Sequence, residues 1–329
     1  MPQQDKHEPV FALIKTMSSA EKRNFKLYAT RLDRNREAKF LALFDYLDSV
    51  DEYDEQKVLA HCPVKKQQLP NMKAHLYKQI LTSIRLLNVQ HSDTMQLREQ
   101  LDFAQILYDK GLYRQSEKIL DKVSSHADAL EEYSIKRDVV NFQGRLATLS
   151  MPREMAVASD TASRQVGELC RQIEANSELS NTSTRAYSLY QQLGYARSQK
   201  DLDLINQYFT PRLAVYADRI CQMSFHEKFY YYQAQAWCSY IRHDFVNSYR
   251  YGRKWVGMFD DHPRMKRVMY DDYMRGCSQI LEGLYLMRRH RHSVDYLDSF
   301  KREFADLGSL NTNADIIGKR LLYTNKVHR

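Results

Sequence analysis

The stretch from Leu101 to Leu120 constrains this chain most. Apolar residues recur at three-to-four spacing on both sides of Gly111, which predicts two amphipathic helices folded back on each other across a tight turn. Ala104 on the first helix and Ser116 on the second are small enough to let the backbones approach. Tyr108 and Tyr113 flank the turn and plug the gap between the helices. The same skeleton returns as Ala236, Tyr240, Phe245 and Ser248, and in degraded form as Leu281, Tyr285, His290 and Ser293. Leu120, Val123, Trp255, Leu297 and Phe300 continue the buried faces of the second helices. Repetition of one helix pair predicts an all-α array.

Composition agrees with long helices. Only 10 Gly and 7 Pro occur in 329 residues, too few for a turn-dense β fold. No run of about 18 apolar residues is present, so no membrane span is expected. The opening residues lack the basic-then-apolar layout of a signal peptide. Five scattered cysteines without a CxxC pair fit buried free thiols in a reducing compartment, and the expected location is cytoplasmic. The net charge of +8 is uneven: +4 over residues 1–90 (15 Lys/Arg against 11 Asp/Glu), −2 over 91–240 (17 against 19) and +6 over 241–329 (17 against 11). Basic ends suit acidic partners, whether protein, nucleic acid or phosphate.

Residues 1–92 read as a small helical unit, and 93–329 as the array. In the first, Phe11, Leu13 and Ile14 mark a short helix, and Ser18 to Glu21 form a capping box. Phe25, Leu27, Tyr28 and Leu32 follow as a buried stripe, then Phe40, Leu43, Phe44 and Leu47. Asp54 caps a short helix carrying Val58 and Leu59 that Cys62-Pro63 ends. A long helix after Pro70 puts Met72, Leu76, Ile80, Ile84 and Leu87 on one face, with Lys73 and Arg85 off it. A short helix, a turn and a basic helix also describe a helix-turn-helix. Against DNA reading, the long helix lacks Arg, Asn and Gln clustered on its first turns, so a plain bundle is the better reading.

The repeated skeleton resembles the tetratricopeptide repeat, a helix-turn-helix unit of about 34 residues. Ala104 through Gly111, Tyr113 and Ser116 carry the resemblance best, followed by Phe245 and Ser248 with Pro263. Tyr190, Leu193, Gly194, Asp201 and Leu202 carry it weakly, and residues 131–175 fit as unpatterned helices. Ala104 and Ala236 lie 132 positions apart (236 − 104), close to four repeats, while Tyr240 and Tyr285 are 45 apart (285 − 240), so the array is divergent. The segment from Phe11 to Tyr28 is similar to the start of an uncharacterised bacterial family with such arrays. The resemblance implies antiparallel helix pairs stacked as a right-handed superhelix, preceded by a small helical bundle. Met151-Pro152 is expected to interrupt a helix beginning near Glu131. The polar run from Asn176 to Thr184 is expected to form an inter-helix loop. Gly308-Ser309 should end the last strong helix, and residues 314–323 should cap the array.

Motif searching yields no chemistry. There is no glycine-rich phosphate loop, HExxH, GxSxG or metal-spaced Cys/His set. His290 and His292, two apart on a helix, point to different faces, and neighbouring arginines disfavour a cation. No catalytic activity, cofactor or metal is expected. Two surface features stand out. One is the aromatic concentration from Phe225 to Tyr285. Four adjacent rings, Phe229 to Tyr232, cannot all face one core. The resemblance implies that first helices line a concave groove, which turns Tyr230, Gln233 and Trp237 towards it. The other is a basic set: Arg250, Arg253, Lys254, Arg264, Lys266, Arg267, Arg288, Arg289 and Arg291. Arrays of this family that grip a peptide's terminal carboxylates use Lys and Asn on inner helices. The matching positions here hold Leu101 and Gln105, Gln233 and Trp237, and Ser278 and Glu282, so no such clamp is expected. The expected function is a non-catalytic scaffold that binds a protein or peptide, acidic in character. Its contact residues would be Tyr230, Gln233, Trp237, Arg253, Lys254, Arg288, Arg289 and Arg291. The alternative is a nucleic-acid-binding regulator whose N-terminal unit grips DNA.

Overall fold

The computed structural model describes residues 8–30, 34–149 and 152–307, with residues 316, 318, 319 and 322 beyond them. Fifteen α-helices and no strand occur among the described residues, and none of these helices is long and apolar enough to cross a membrane. The chain divides into two compact units, 1–99 and 100–329, somewhat past the boundary expected at 92.

The first unit contains α1 (Pro9–Thr16), α2 (Ser19–Ala29), α3 (Arg34–Ser49), α4 (Glu55–His61) and α5 (Leu69–Asn88). The capping box forms at α2: Ser18 N–H donates to Glu21 Oε2 at 2.8 Å, and Glu21 N–H donates to Ser18 Oγ at 3.2 Å. Asp54 caps α4 by accepting from the backbone of Gln56 and Lys57. Phe11, Ile14, Phe25, Phe44, Leu76 and Ile80 are buried together, with the Phe25 and Phe44 rings 4.7 Å apart. Two expectations fail here. Leu27 is exposed, because the α2 stripe runs through Phe25 and Ala29. Lys73 is drawn inward, donating to Glu8 at 2.7 Å and to the Tyr53 hydroxyl at 3.1 Å. Leu32 lies outside the described residues.

The helix α6 (Asp93–Asp109) runs through the division between the units. The second unit continues with α7 (Tyr113–Ala129), α8 (Tyr133–Ala147), α9 (Pro152–Leu193), α10 (Gln199–Ala217) and α11 (Phe225–Ile241). It ends with α12 (Phe245–Asp261), α13 (Pro263–Val268), α14 (Tyr270–Leu286) and α15 (His290–Leu307). Neighbours pack in succession: α7 on α8, α8 on α9, α9 on α11, α11 on α12, α12 on α14, and α14 on α15. The segment 308–309 and most of 314–323, where a closing turn and cap were expected, lie outside the described residues.

One turn is used four times. After α6, Gly111 takes φ +75°, its N–H reaches the Tyr108 carbonyl at 2.9 Å, and Leu112 N–H reaches the Leu107 carbonyl at 2.9 Å. This pair of bonds is the Schellman arrangement, which satisfies carbonyls that a helix end leaves without donors. Glu131, His243 and Arg288 repeat it at φ +53°, +62° and +57°. The second bond of each runs from Glu132 to Ala127, from Asp244 to Ser239 and from Arg289 to Leu284, all at 2.9 Å. The next helix then starts on a ring: Tyr113, Tyr133, Phe245 or His290. Three of these turns are legible from the skeleton. The fourth, at Glu131, leads from the marked helix α7 into α8, which the repeat pattern leaves unmarked.

Within the first hairpin, Ala104 and Ser116 are both fully buried, and Ser116 Oγ donates to the Ala104 carbonyl at 2.8 Å. The serine thus closes the gap that the alanine opens. Where α12 meets α14 the approach is closer still. A methyl group on Gly276 would stand 2.8 Å from Val256 Cγ2 and 3.1 Å from the Trp255 ring, so only glycine fits between them.

The longest element overturns an expectation. Pro152 does begin a helix, as the break at Met151-Pro152 predicts. That helix, α9, then runs unbroken for 42 residues, about 63 Å at 1.5 Å per residue, straight through Asn176 to Thr184. Within this helix two hydroxyls of the polar run find partners on their own backbone. Ser177 Oγ donates to the Ile173 carbonyl at 2.7 Å and Thr182 Oγ1 to the Glu178 carbonyl at 2.8 Å. Packing then overrides weak propensity: Leu179, Thr182, Ser183 and Ala186 are buried where α9 meets its neighbours.

Candidate interaction site

Continuity of α9 decides where the expected groove residues lie. Tyr230, Gln233 and Trp237 recur at helical spacing on the face of α11 turned to α9. Gln233 accepts a hydrogen bond from Ser183, and Trp237 packs on Tyr187 at 5.0 Å and stacks on Tyr190 at 4.9 Å. Trp237 is 8% exposed and Gln233 is half-buried. These two side chains join helices. The α9 helix covers them: Ser183, inside the segment read as a loop, meets Gln233, and Tyr187 and Tyr190, just beyond it, cover Trp237. Phe229 and Tyr231 are buried, and the α12 rings answer them: Trp255 and Phe259 beside Phe229, Tyr251 beside Tyr231.

Tyr230 is half-buried and borders an open cleft of about 430 Å³. Its wall includes Glu131, Tyr133, Asn176, Asn181 and His226. Glu131 holds this corner together. From its left-handed turn, its carboxylate accepts from Phe225 N–H at 3.0 Å and His226 N–H at 3.3 Å, capping α11 from 94 residues upstream. The His226 ring lies 3.5 Å away. Burial works to raise this carboxyl's pKa, but the His226 ring and the two backbone donors outweigh it and hold it below the usual glutamate value. Sequence reasoning missed Glu131, since its role depends on a partner that only the fold brings near.

A second missed acid is Glu282 on α14. It is half-buried and accepts from the Tyr240 hydroxyl on α11 and, at 3.5 Å, from Tyr190 on α9. Tyr195 meets the Tyr240 hydroxyl at 3.1 Å. Burial raises the Glu282 carboxyl, against the pull of both phenols, and the Tyr190 hydroxyl is pushed up to about 12 by its own burial and by Glu282.

The basic set divides. Arg250, Arg253 and Lys254 are exposed and line one open cleft of about 410 Å³ on α12, together with Asn247, Tyr249 and Tyr251. Lys254 Nζ stands over the rings of Tyr232 at 5.7 Å and Tyr251 at 5.4 Å. No carboxylate lines this cleft, and none pairs with Arg253 or Lys254 among the described residues. Arg288, Arg289 and Arg291 are exposed at the turn between α14 and α15, outside that cleft. Arg264 is engaged by His126, and Lys266 is paired with Glu303. Cys62, Cys238 and Cys277 are buried free thiols as expected, whereas Cys170 and Cys221 are exposed. No group of His, Cys, Asp and Glu among the described residues is placed to hold a metal ion. Comparison with family models, curated proteins and solved structures gives no match.

Proposed function

We propose that the chain is a non-catalytic, protein-binding scaffold, a divergent tetratricopeptide-like superhelix that captures an acidic segment of its partner on α12. The four equivalent turns support the repeat reading, since stacked hairpins with one turn geometry are how such arrays are built. The observation that carries the binding reading is the α12 cleft, where Arg250, Arg253 and Lys254 face solvent with no carboxylate among its lining residues. Arginine forks suit bidentate contact with carboxylates, and the tyrosines between them supply rigid contact area. Arg288, Arg289 and Arg291 add to the same positive end of the sequence and steer an acidic partner.

Reversing Arg250, Arg253 and Lys254 to Glu together should weaken capture of a labelled oligoglutamate peptide by roughly a hundredfold or more, from several lost charge-assisted contacts. The thermal midpoint should stay within a degree or two, because all three side chains are exposed. Fluorescence anisotropy over a salt series measures the first, and a melting curve the second. Equal oligoglutamate affinity in the variant overturns the reading. Binding of duplex DNA in place of oligoglutamate, with a steep salt dependence, transfers it to the nucleic-acid class.

A further inference from the structure

In three places the chain brings a tyrosine and a glutamate together and completes the pair with its own cation. Lys73 Nζ lies 2.7 Å from Glu8 and 5.2 Å from the centre of the Tyr53 ring. Tyr216 donates to Glu178 at 2.7 Å while the Arg219 guanidinium stands 5.3 Å over the Tyr216 ring. Tyr273 donates to Glu303 at 2.7 Å, with Lys266 paired to Glu303 and 4.0 Å over the Tyr273 ring. For Glu8 and Glu303, which are half-buried, a carboxylate taken partly out of water needs compensation; at all three places a ring face adds attraction for the cation.

Glu282 has the first two partners and lacks the third. Tyr240 and Tyr190 donate to its carboxylate, and the Tyr190 ring in turn packs on the rings of Tyr187 and Trp237. Among the described residues no Lys or Arg pairs with Glu282 or stands over any of these rings. Arg242, two residues past Tyr240, is bonded to Asn206 and Thr210. Nor is the site sealed: Glu282, Tyr190 and Tyr195 are half-buried and Tyr187 is 42% exposed.

We propose that Glu282 and its ring wall bind a cationic side chain, a lysine ammonium or an arginine guanidinium, of a polypeptide ligand. The ligand's cation takes the place that Lys73, Arg219 and Lys266 fill in the internal triads. This site uses none of the α12 cations, so it stands or falls separately from the acidic-segment reading.

The test uses the full chain and the blocked amino acids N-acetyl-lysine methylamide and N-acetyl-arginine methylamide, with N-acetyl-glutamine methylamide as the neutral control at matched ionic strength. The protein has two tryptophans, so two indole N–H resonances report. That of Trp237, stacked on Tyr190, should move saturably with both cations and not with the glutamine compound. The fully buried Trp255 should stay still. Glu282→Gln keeps an acceptor for both phenols and should weaken the response about tenfold or more. The triple charge reversal on α12 should leave it unchanged. An absent response, an equal response to the glutamine compound, or an undiminished response in Glu282→Gln overturns the proposal. If Glu282→Gln does not fold, Tyr187→Ala decides: its exposed ring forms part of the wall, and unchanged affinity in that variant overturns the proposal as well.

Discussion

Trp237→Ala should lower the free energy of unfolding by about 3–5 kcal/mol, the range for deleting a large buried aromatic side chain. The indole is 8% exposed and lies against Tyr187 and Tyr190 of α9, so the cavity left behind opens the contact between α9 and α11. Urea unfolding followed by far-ultraviolet circular dichroism measures the loss. Capture of an acidic peptide by the fraction that remains folded should be unchanged, because the α12 cleft does not include this residue. A variant of native stability that no longer binds would restore Trp237 as a groove anchor and overturn its place as an interhelical contact.

Glu131 supports a paired prediction, because two opposing effects meet in one residue. Its carboxylate caps α11, and its backbone sits at φ +53°, where a side chain costs roughly 1 kcal/mol. Glu131→Ala removes its two bonds to the Phe225 and His226 N–H groups, leaves the capping box of Ser224 and Glu227 in place and keeps the backbone cost, so it should destabilise by about 2 kcal/mol. Glu131→Gly removes both the bonds and the backbone cost and should be milder by roughly 1 kcal/mol. The carboxyl is held below its unfolded value, so its stabilisation is fully present above the ordinary glutamate pKa and is lost as pH falls through the depressed folded value. The gap between native and Glu131→Ala unfolding energies should therefore be full at pH 7 and shrink in acid below about pH 4.3. A gap constant across that range would mean the cap acts without its charge, and equal losses for Ala and Gly would mean the turn carries no strain.

Much of the hairpin architecture is legible in the sequence because its determinants are local. The Ala104 and Ser116 pair, the Gly111 turn and the capping box at Ser18 each lie within some twenty residues of chain, and spacing alone reveals them. What stays hidden is non-local or masked by propensity. The stretch Asn176 to Thr184 reads as a loop by composition, and burial of Leu179, Thr182 and Ser183 against neighbouring helices makes it a helix. That misreading hides the partner of Gln233, Ser183, while the Trp237 contacts with Tyr187 and Tyr190 are hidden because they join residues about fifty positions apart. Glu131 and Glu282 are invisible for a related reason. Each gains its role from groups that chain folding brings in from 42 residues or more away, Phe225 in one case and Tyr240 in the other. The exposed cations of α12 are legible as a basic run, but their separation from Arg288, Arg289 and Arg291 is a matter of which helix carries them.

The unbroken α9 has a mechanical consequence. In an array of short hairpins each unit touches only its neighbours, and an end unit can melt while the next stays folded. Here a single rod packs against α8 and also against α11, so those two helices share one support. Loosening it at one end disturbs the backing of the other, and the segments on either side open as one cooperative block. Amide hydrogen exchange should thus give α8, α9 and α11 a common opening free energy, and independent exchange of α8 and α11 would show that the rod bends where its polar middle lies. A helix that spans two contacts acts as a lever between them.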